Sequence, residues 1–297
     1  MSNNHVNSHI LPEFKYYAPK TIQDAAILLS EHGSEAAPLA GGTDLLVRMK
    51  QGLAKPKVLV DLKYIPELKG IRRDEDAIWI GAATGLRVLE RSDIVVEELP
   101  LLGQAVRAIG SVQVRNLGTI GGNLCNASPS ADSASALLAL DAEAQLVGPG
   151  GNRHLPLQKF FLGPRRTAIQ RGELLVSVKA PLARASIGSC FVKTARTSMD
   201  IASVNAAVAL AVEDGLVAHC RIALGAVAPT PVRIDGAEAA LLGNAPSDEK
   251  IEEAARLVGE SVQPITDVRA TAEYRRRVSM NLSRIALVTA RGKMKGG

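Results

Sequence analysis

In TIQDAAILLSEHG the apolar residues Ile22, Ala25, Ala26 and Leu29 fall at i, i+3, i+4 and i+7, the spacing that lines one face of a helix. Thr21 stands where an N-cap would and Gly33 where a helix stops. The pattern then changes. AAPLAGGTDLLVRMK is a short apolar run broken by Gly41-Gly42, and VLVDL (Val58 to Leu62) is a continuous apolar run suited to a buried strand. AIWIGAAT (Ala77 to Thr84) predicts another strand, followed by helices near Gly85 to Ser92 and Leu101 to Ile109, a second glycine loop, and a small-residue helix from Asp132 to Leu140. EAQLVGPGGNRHLPL and GELLVSVKAP read as antiparallel strands with a Gly-Pro-Gly-Gly turn, and a first domain ends near Pro181.

Beyond that point GSCFVKTA and ASVNAAVALAVEDGLVAHCRIALGAVAPTP, with an EDG turn, predict a three-stranded antiparallel meander. Helices near Asp248 to Val258 and Ala270 to Arg291 follow, separated by Pro264. The expected organisation is a polar tail over 1–10, an α+β domain over 11–181 and a smaller α+β domain, three strands plus helices, over 182–297.

Composition narrows the function. A chain of 297 residues buries a large core without covalent staples. Its three cysteines, Cys125, Cys190 and Cys220, are odd in number and contain no CxxC pair, so neither a disulfide framework nor a metal cluster held by this chain alone is expected. The five histidines show no ligand spacing. Residues 1–10 carry no apolar signal core and no later run approaches a membrane span, so a cytoplasmic protein is expected. The net charge of +5 is scattered and aromatics make up only 3%, which leaves no stacking platform for nucleic acid. Small anionic ligands suit the charge better.

Two glycine pairs follow strands: LAGGTDLL (Leu39 to Leu46) and GTIGGN (Gly118 to Asn123). Such a pair permits positive φ and removes the Cβ atoms that would keep a ligand from the backbone amides. Neither fits GxGxxG or a P-loop, so a dinucleotide would not be held in the Rossmann or Walker manner. A lone GG is more often an ordinary turn. Here QVRN precedes the second pair and SPSAD follows it.

Together, AGGTDLL, the later IGSVQVRNLGTIGGNLCNASPSAD, the opening FKYYAPKTIQDAAILLSEHG, ALGAVAPTPVR and the final YRRRVSMNLSRIAL resemble the FAD-binding medium subunit of the molybdenum hydroxylases. That family includes aerobic carbon monoxide dehydrogenase and xanthine dehydrogenase. The resemblance implies a two-subdomain FAD-binding fold of the vanillyl-alcohol oxidase type with a C-terminal domain closing over the flavin. Both glycine loops would offer N–H groups to the FAD pyrophosphate: Leu39, Ala40, Gly41, Gly42, Thr43 and Asp44 from the first, Thr119, Gly121, Gly122 and Asn123 from the second.

By the same resemblance Asp132 binds the ribose or adenine side, although a helix N-cap is its simpler reading. Lys193 lies near the flavin, or else is a solvated lysine at a strand end. Leu175 touches the adenine side, or is a core leucine. Ile109 stands where animal xanthine dehydrogenases place an aromatic ring, so an aliphatic contact replaces stacking. ARTSMDIA (Ala195 to Ala202) differs from the acidic loop that gates NAD access in those enzymes, so the acceptor is left open. A small [2Fe-2S] subunit and a large molybdopterin subunit are the implied partners, in a dimer of heterotrimers, and this chain's part is electron transfer. An independent FAD-dependent oxidoreductase on the same fold is the alternative. Cys125 reads as a thiol packed beneath the loop, and Arg275, Arg276 and Arg277 as a solvated helix face or a partner contact.

Overall fold

The computed structural model describes residues 11–182 and 187–294; the expected tail over 1–10 lies outside them. The chain opens with β1 (Lys15–Tyr17), α1 (Ile22–His32), β2 (Ala36–Leu39), α2 (Leu45–Lys50) and β3 (Val58–Asp61), and β1, β3 and β2 form a parallel sheet with β3 central. β3 is buried along its length, as an apolar run flanked on both edges requires. α1 covers it through Ala25 and Leu29. Thr21 accepts from the Asp24 amide at its N-terminus, and Gly33 ends it at φ 52°.

β4 (Ile71–Arg73) and β5 (Ala77–Gly81) start a second sheet. The chain then leaves it for α3 (Leu86–Arg91), α4 (Asp93–Glu98), α5 (Pro100–Arg107), α6 (Val112–Leu117), α7 (Ile120–Cys125) and α8 (Asp132–Ala139). It returns through β6 (Glu143–Gly148), β7 (Gly151–Pro156), α9 (Leu157–Phe160), the small hairpin β8 (Phe161–Gly163) and β9 (Arg166–Thr167), and β10 (Leu174–Pro181). The sheet is antiparallel in the order β4-β5-β10-β6-β7. α8 is buried at every position, which its run of Ala, Ser and Leu permits. The GTIGGN segment, expected as a loop, is already helical from Ile120, because the Thr119 hydroxyl accepts from the Gly122 amide and caps the turn.

The last part holds β11 (Gly188–Thr194), β12 (Val204–Glu213), β13 (Leu216–Gly225), β14 (Val232–Arg233), α10 (Asp235–Leu241), α11 (Asp248–Ser261) and α12 (Ala272–Lys293). Its sheet has four strands where three were expected. Val232 and Arg233 pair with Leu224 and Ala223, a contact too short to leave an alternating pattern in the sequence. α10 is likewise additional. Strand alternation separates the faces: Ala207 and Ala209 join the core that contains α8, while Ala206, Val208 and Leu210 join the core under Ala286, Leu287 and Ala290 of α12.

The expectation for Arg275 is also corrected. It is 3% exposed and donates to the carbonyls of Ser203 (2.7 Å) and Ala226 (3.0 Å) and to Asp267 Oδ1 (2.6 Å), whereas Arg276 and Arg277 are exposed. Three consecutive helical residues fan over about 200°, so one of them must face the sheet. A second ionic group ties the last part to the rest: Asp141 accepts from Arg221 Nε (2.7 Å) and Arg233 Nη1 (2.5 Å), and Arg233 also pairs with Glu238.

Candidate functional site

A cavity of about 500 Å³ opens where the three sheets converge. Its walls come from the β2–α2 loop, the α6–α7 segment, the start of α8, the start of β10, Lys193 on β11 and the loop at 199–201.

The β2–α2 loop contributes Ala40, Gly41, Gly42, Thr43 and Asp44. Leu39, paired with Asp61 at the end of the parallel ladder, turns its side chain into a core with Met49 and Leu59 and is not among the residues that line the cavity. Gly41 passes so close to α6 that a Cβ would sit 2.0 Å from the Leu117 carbonyl oxygen, and Gly42 holds φ +74°. Among the described residues the amides of 40–44 donate to no protein acceptor. Five unclaimed donors in one turn make a concavity suited to phosphate oxygens. Asp44 does not cap α2; its Oδ1 accepts from Asn126 Nδ2 at 3.1 Å, and Asn126 Oδ1 accepts from Arg165 at 3.3 Å.

Thr119, Gly121, Gly122 and Asn123 line the facing wall, but differently from the expectation. The Gly121 amide donates to Ala82 O (2.8 Å), Gly122 to Thr119 Oγ1 (3.0 Å) and Asn123 to Thr119 O (3.0 Å), so these N–H groups are already used. What this wall offers is side chains: the Thr119 hydroxyl proton and the Asn123 carboxamide, whose oxygen accepts from Ser133 Oγ at 2.6 Å. The missing Cβ of Gly121 faces Ala82 at 2.6 Å and not the cavity. That glycine lets α7 settle on the end of β5.

Asp132 and Lys193 meet at the cavity floor. Lys193 Nζ donates to Asp132 Oδ2 (2.7 Å) and to the Ala108 carbonyl (2.8 Å), and Asn205 Nδ2 donates to Asp132 Oδ1 (2.7 Å). Their side chains are 9% and 6% exposed, so Lys193 is not a solvated strand-end lysine. Asp132 is the first residue of α8 rather than its cap, and makes no capping bond. Burial raises the Asp132 carboxyl above the ordinary aspartate value, against the opposing pull of Lys193 and Asn205. Leu175 fits both readings, since it belongs to the core and also lines the cavity beside a break in the β10–β6 register.

Ile109 presents an aliphatic wall, and the turn that carries it is held by Arg115 of the QVRN segment. Arg115 Nη1 donates to the carbonyls of Ile109 (2.9 Å) and Gly110 (3.1 Å), while Nε reaches Glu90 at 2.8 Å. Cys125 also lines the cavity, and burial pushes its thiol up to about 12, which favours the neutral form. Sequence reasoning missed Asn126, Arg165, Met199 and Ile201 on the walls, and Asn205 behind Asp132. Asn205 did leave a signal, being the one amide in a strand that is otherwise apolar up to its terminal Glu213.

Two family models match the chain: the FAD binding domain in molybdopterin dehydrogenase over residues 12–183 and the CO dehydrogenase flavoprotein C-terminal domain over 189–290. The carbon monoxide dehydrogenase medium chain of Hydrogenophaga pseudoflava is 38% identical over 281 residues, covering 95% of this chain and 98% of that one. The xanthine dehydrogenase FAD-binding subunit of Escherichia coli O157:H7 is 33% identical, covering 94% of this chain and 98% of its own length. Among solved structures, the Hydrogenophaga pseudoflava carbon monoxide dehydrogenase lacking the Mo-pyranopterin moiety of its molybdenum cofactor superposes with a TM-score of 0.94 at 39% identity, covering 96% of this chain and 99% of that one. With the α+β fold and the two-walled cavity, these place the chain among the FAD-binding medium subunits of the molybdenum hydroxylases, an oxidoreductase family.

Proposed function

We propose that one FAD lies along this cavity and that the chain is the electron-transfer subunit of its complex. It would take electrons from the [2Fe-2S] clusters of a small partner subunit and pass them to an external acceptor. Substrate oxidation would belong to a large molybdopterin subunit, in a dimer of heterotrimers. The carrying observation is the row of unclaimed amides at 40–44, which supplies hydrogen bonds where a pyrophosphate needs them. Bound FAD supplies the ability to accept and release electrons. The chain's residues do the rest: the 40–44 turn and Thr119 hold the anion, Ile109 and Leu175 exclude water from an aliphatic wall, and Lys193 keeps a positive charge beside the ligand.

An independent oxidoreductase would need a free base or a covalent anchor here. No described histidine lines the cavity, and Cys125 is neutral. The lining carboxylates Asp44, Asp132, Glu173 and Asp200 are engaged by Asn126, Lys193, Arg153 and Arg196 respectively. Among the described residues no helix is long and apolar enough to cross a membrane. The three cysteines are free thiols, which supports a reducing compartment, and we place the protein in the cytoplasm. The test is the visible spectrum of the purified chain with identification of the released chromophore. FAD at about one per chain without iron is the expected result; failure to retain or take up FAD, alone and with its partner subunits, would reject the reading.

A further inference from the structure

The pair at the cavity floor has a third member that nothing above assigns a role. Asn205 is fully buried near the start of β12, an inner strand of the last sheet, and its carboxamide is used at both ends: Nδ2 donates to Asp132 Oδ1 at 2.7 Å, and Oδ1 accepts from Ser135 Oγ at 2.7 Å. The Asp132 carboxylate can only accept, so it takes the Nδ2 side of the amide, and the fully buried Ser135 hydroxyl donates to the oxygen that remains. Space for it is made by Gly225 across the β12–β13 ladder, where a Cβ would lie 2.6 Å from Asn205 Oδ1.

An ammonium has three protons. Two of those on Lys193 go to Asp132 and the Ala108 carbonyl, and among the described residues none is left with a protein partner for the third, although Lys193 lines the cavity. Asp132 therefore decides where the remaining N–H points, and Asn205 decides how Asp132 sits. We propose that Asn205 is a positioning residue of the flavin site, which acts through Asp132 to fix the Lys193 ammonium against the bound isoalloxazine. The inference rests on the reading that FAD occupies this cavity with its flavin near Lys193. A lysine held on two sides keeps its charge in one place, so the electrostatic contribution is built before the ligand arrives.

Asn205→Asp in the full-length chain tests this. The charged groups facing position 205 are Asp132 and Lys193, the latter directly opposite it in the β11–β12 ladder; Ser135 and Gly225 also adjoin it. Towards acid a proton shared by the two carboxylates replaces the lost amide donor; towards base its loss makes them repel, which moves Asp132 and with it the Lys193 ammonium. The readouts are FAD affinity and flavin midpoint potential, each taken as variant against wild type at every pH, with Asn205→Leu and Lys193→Ala alongside. The expected result is a loss of affinity of about tenfold at pH 8 that largely recovers at pH 5, with the potential displaced in the same direction as in Lys193→Ala. A loss of the same size at all pH values and equal to that of Asn205→Leu would mean packing alone, and would overturn the proposal. So would wild-type affinity and potential in both Asn205 variants while Lys193→Ala shifts them, an outcome that leaves the FAD reading intact. If Lys193→Ala itself binds FAD with unchanged potential, the placement of the flavin near Lys193 fails and the proposal with it. Should the Asn205 variants not fold, Ser135→Ala frees the amide to rotate; it should displace the potential in the same direction by less, and an unchanged potential would count against the proposal.

Discussion

Single atoms decide much of this site. Gly41→Ala drives a methyl onto a backbone carbonyl that cannot retreat, so a cost of about 3 kcal/mol is expected together with loss of FAD binding. Gly121→Ala, whose methyl would meet Ala82, should lower the melting temperature of the flavin-free chain as well, because its fault lies in packing. Gly236→Ala, with open space around it, is the neutral control for both melts. Charge is equally local. Lys193→Met leaves a carboxylate buried without its cation and should cost about 4 kcal/mol. Adding Asp132→Asn should restore most of that stability in a chemical denaturation series but not the FAD affinity, since the double variant no longer places a charge in the cavity. The two glycine pairs stood out in the chain itself, whereas Asp132 and Lys193 were singled out through the family resemblance; the structure brings all of them to one cavity. What each glycine is for was not legible there. Gly41 and Gly121 look alike in sequence, and only the positions of Leu117 and Ala82 show that one lets the β2–α2 loop close on α6 and the other lets α7 settle on the end of β5.

At the scale of elements, α12 is joined to three loops through one guanidinium. Burial alone would raise the Asp267 carboxyl, but the Arg269 amide, the Arg275 guanidinium and the Ala270 amide together hold it at about 2, below its ordinary 3.8. A carboxyl lowered in the folded state binds fewer protons folded than unfolded, so its stabilisation is complete above about pH 4 and is lost as pH falls through about 2. Acid titrations of unfolding free energy should show about 2 kcal/mol leaving in that window, and Arg275→Met should flatten much of it. The long helices and inner strands were legible because the 22 residues of α12 repeat their period many times and β12 is one long apolar run buried on both faces. β14 has two residues and no period, and α7 owes its helical turn to a threonine cap followed by glycines, which read as a loop by composition.

Across the whole molecule the C-terminal sheet is part of the same core as α8, since Ala207, Ala209 and Ala223 pack with Leu137 and Leu138. Asp141 adds an ionic clamp, holding Arg221 and Arg233 from across that junction at a backbone φ of 51°. Release of FAD and loss of helical circular dichroism should therefore coincide in one thermal transition. Asp141→Asn, which tolerates that φ but weakens the clamp, should lower the midpoint, and release of FAD well ahead of unfolding in the wild type would show the parts to be separable. The unclaimed amides at 40–44 carry this beyond the test tube. A cofactor present at a hundred times its dissociation constant adds about 2.7 kcal/mol to the folded state. Chains made when vitamin B2 is scarce should therefore open more often to proteases, and a pulse-chase at low and high riboflavin is expected to show the shorter half-life at low supply.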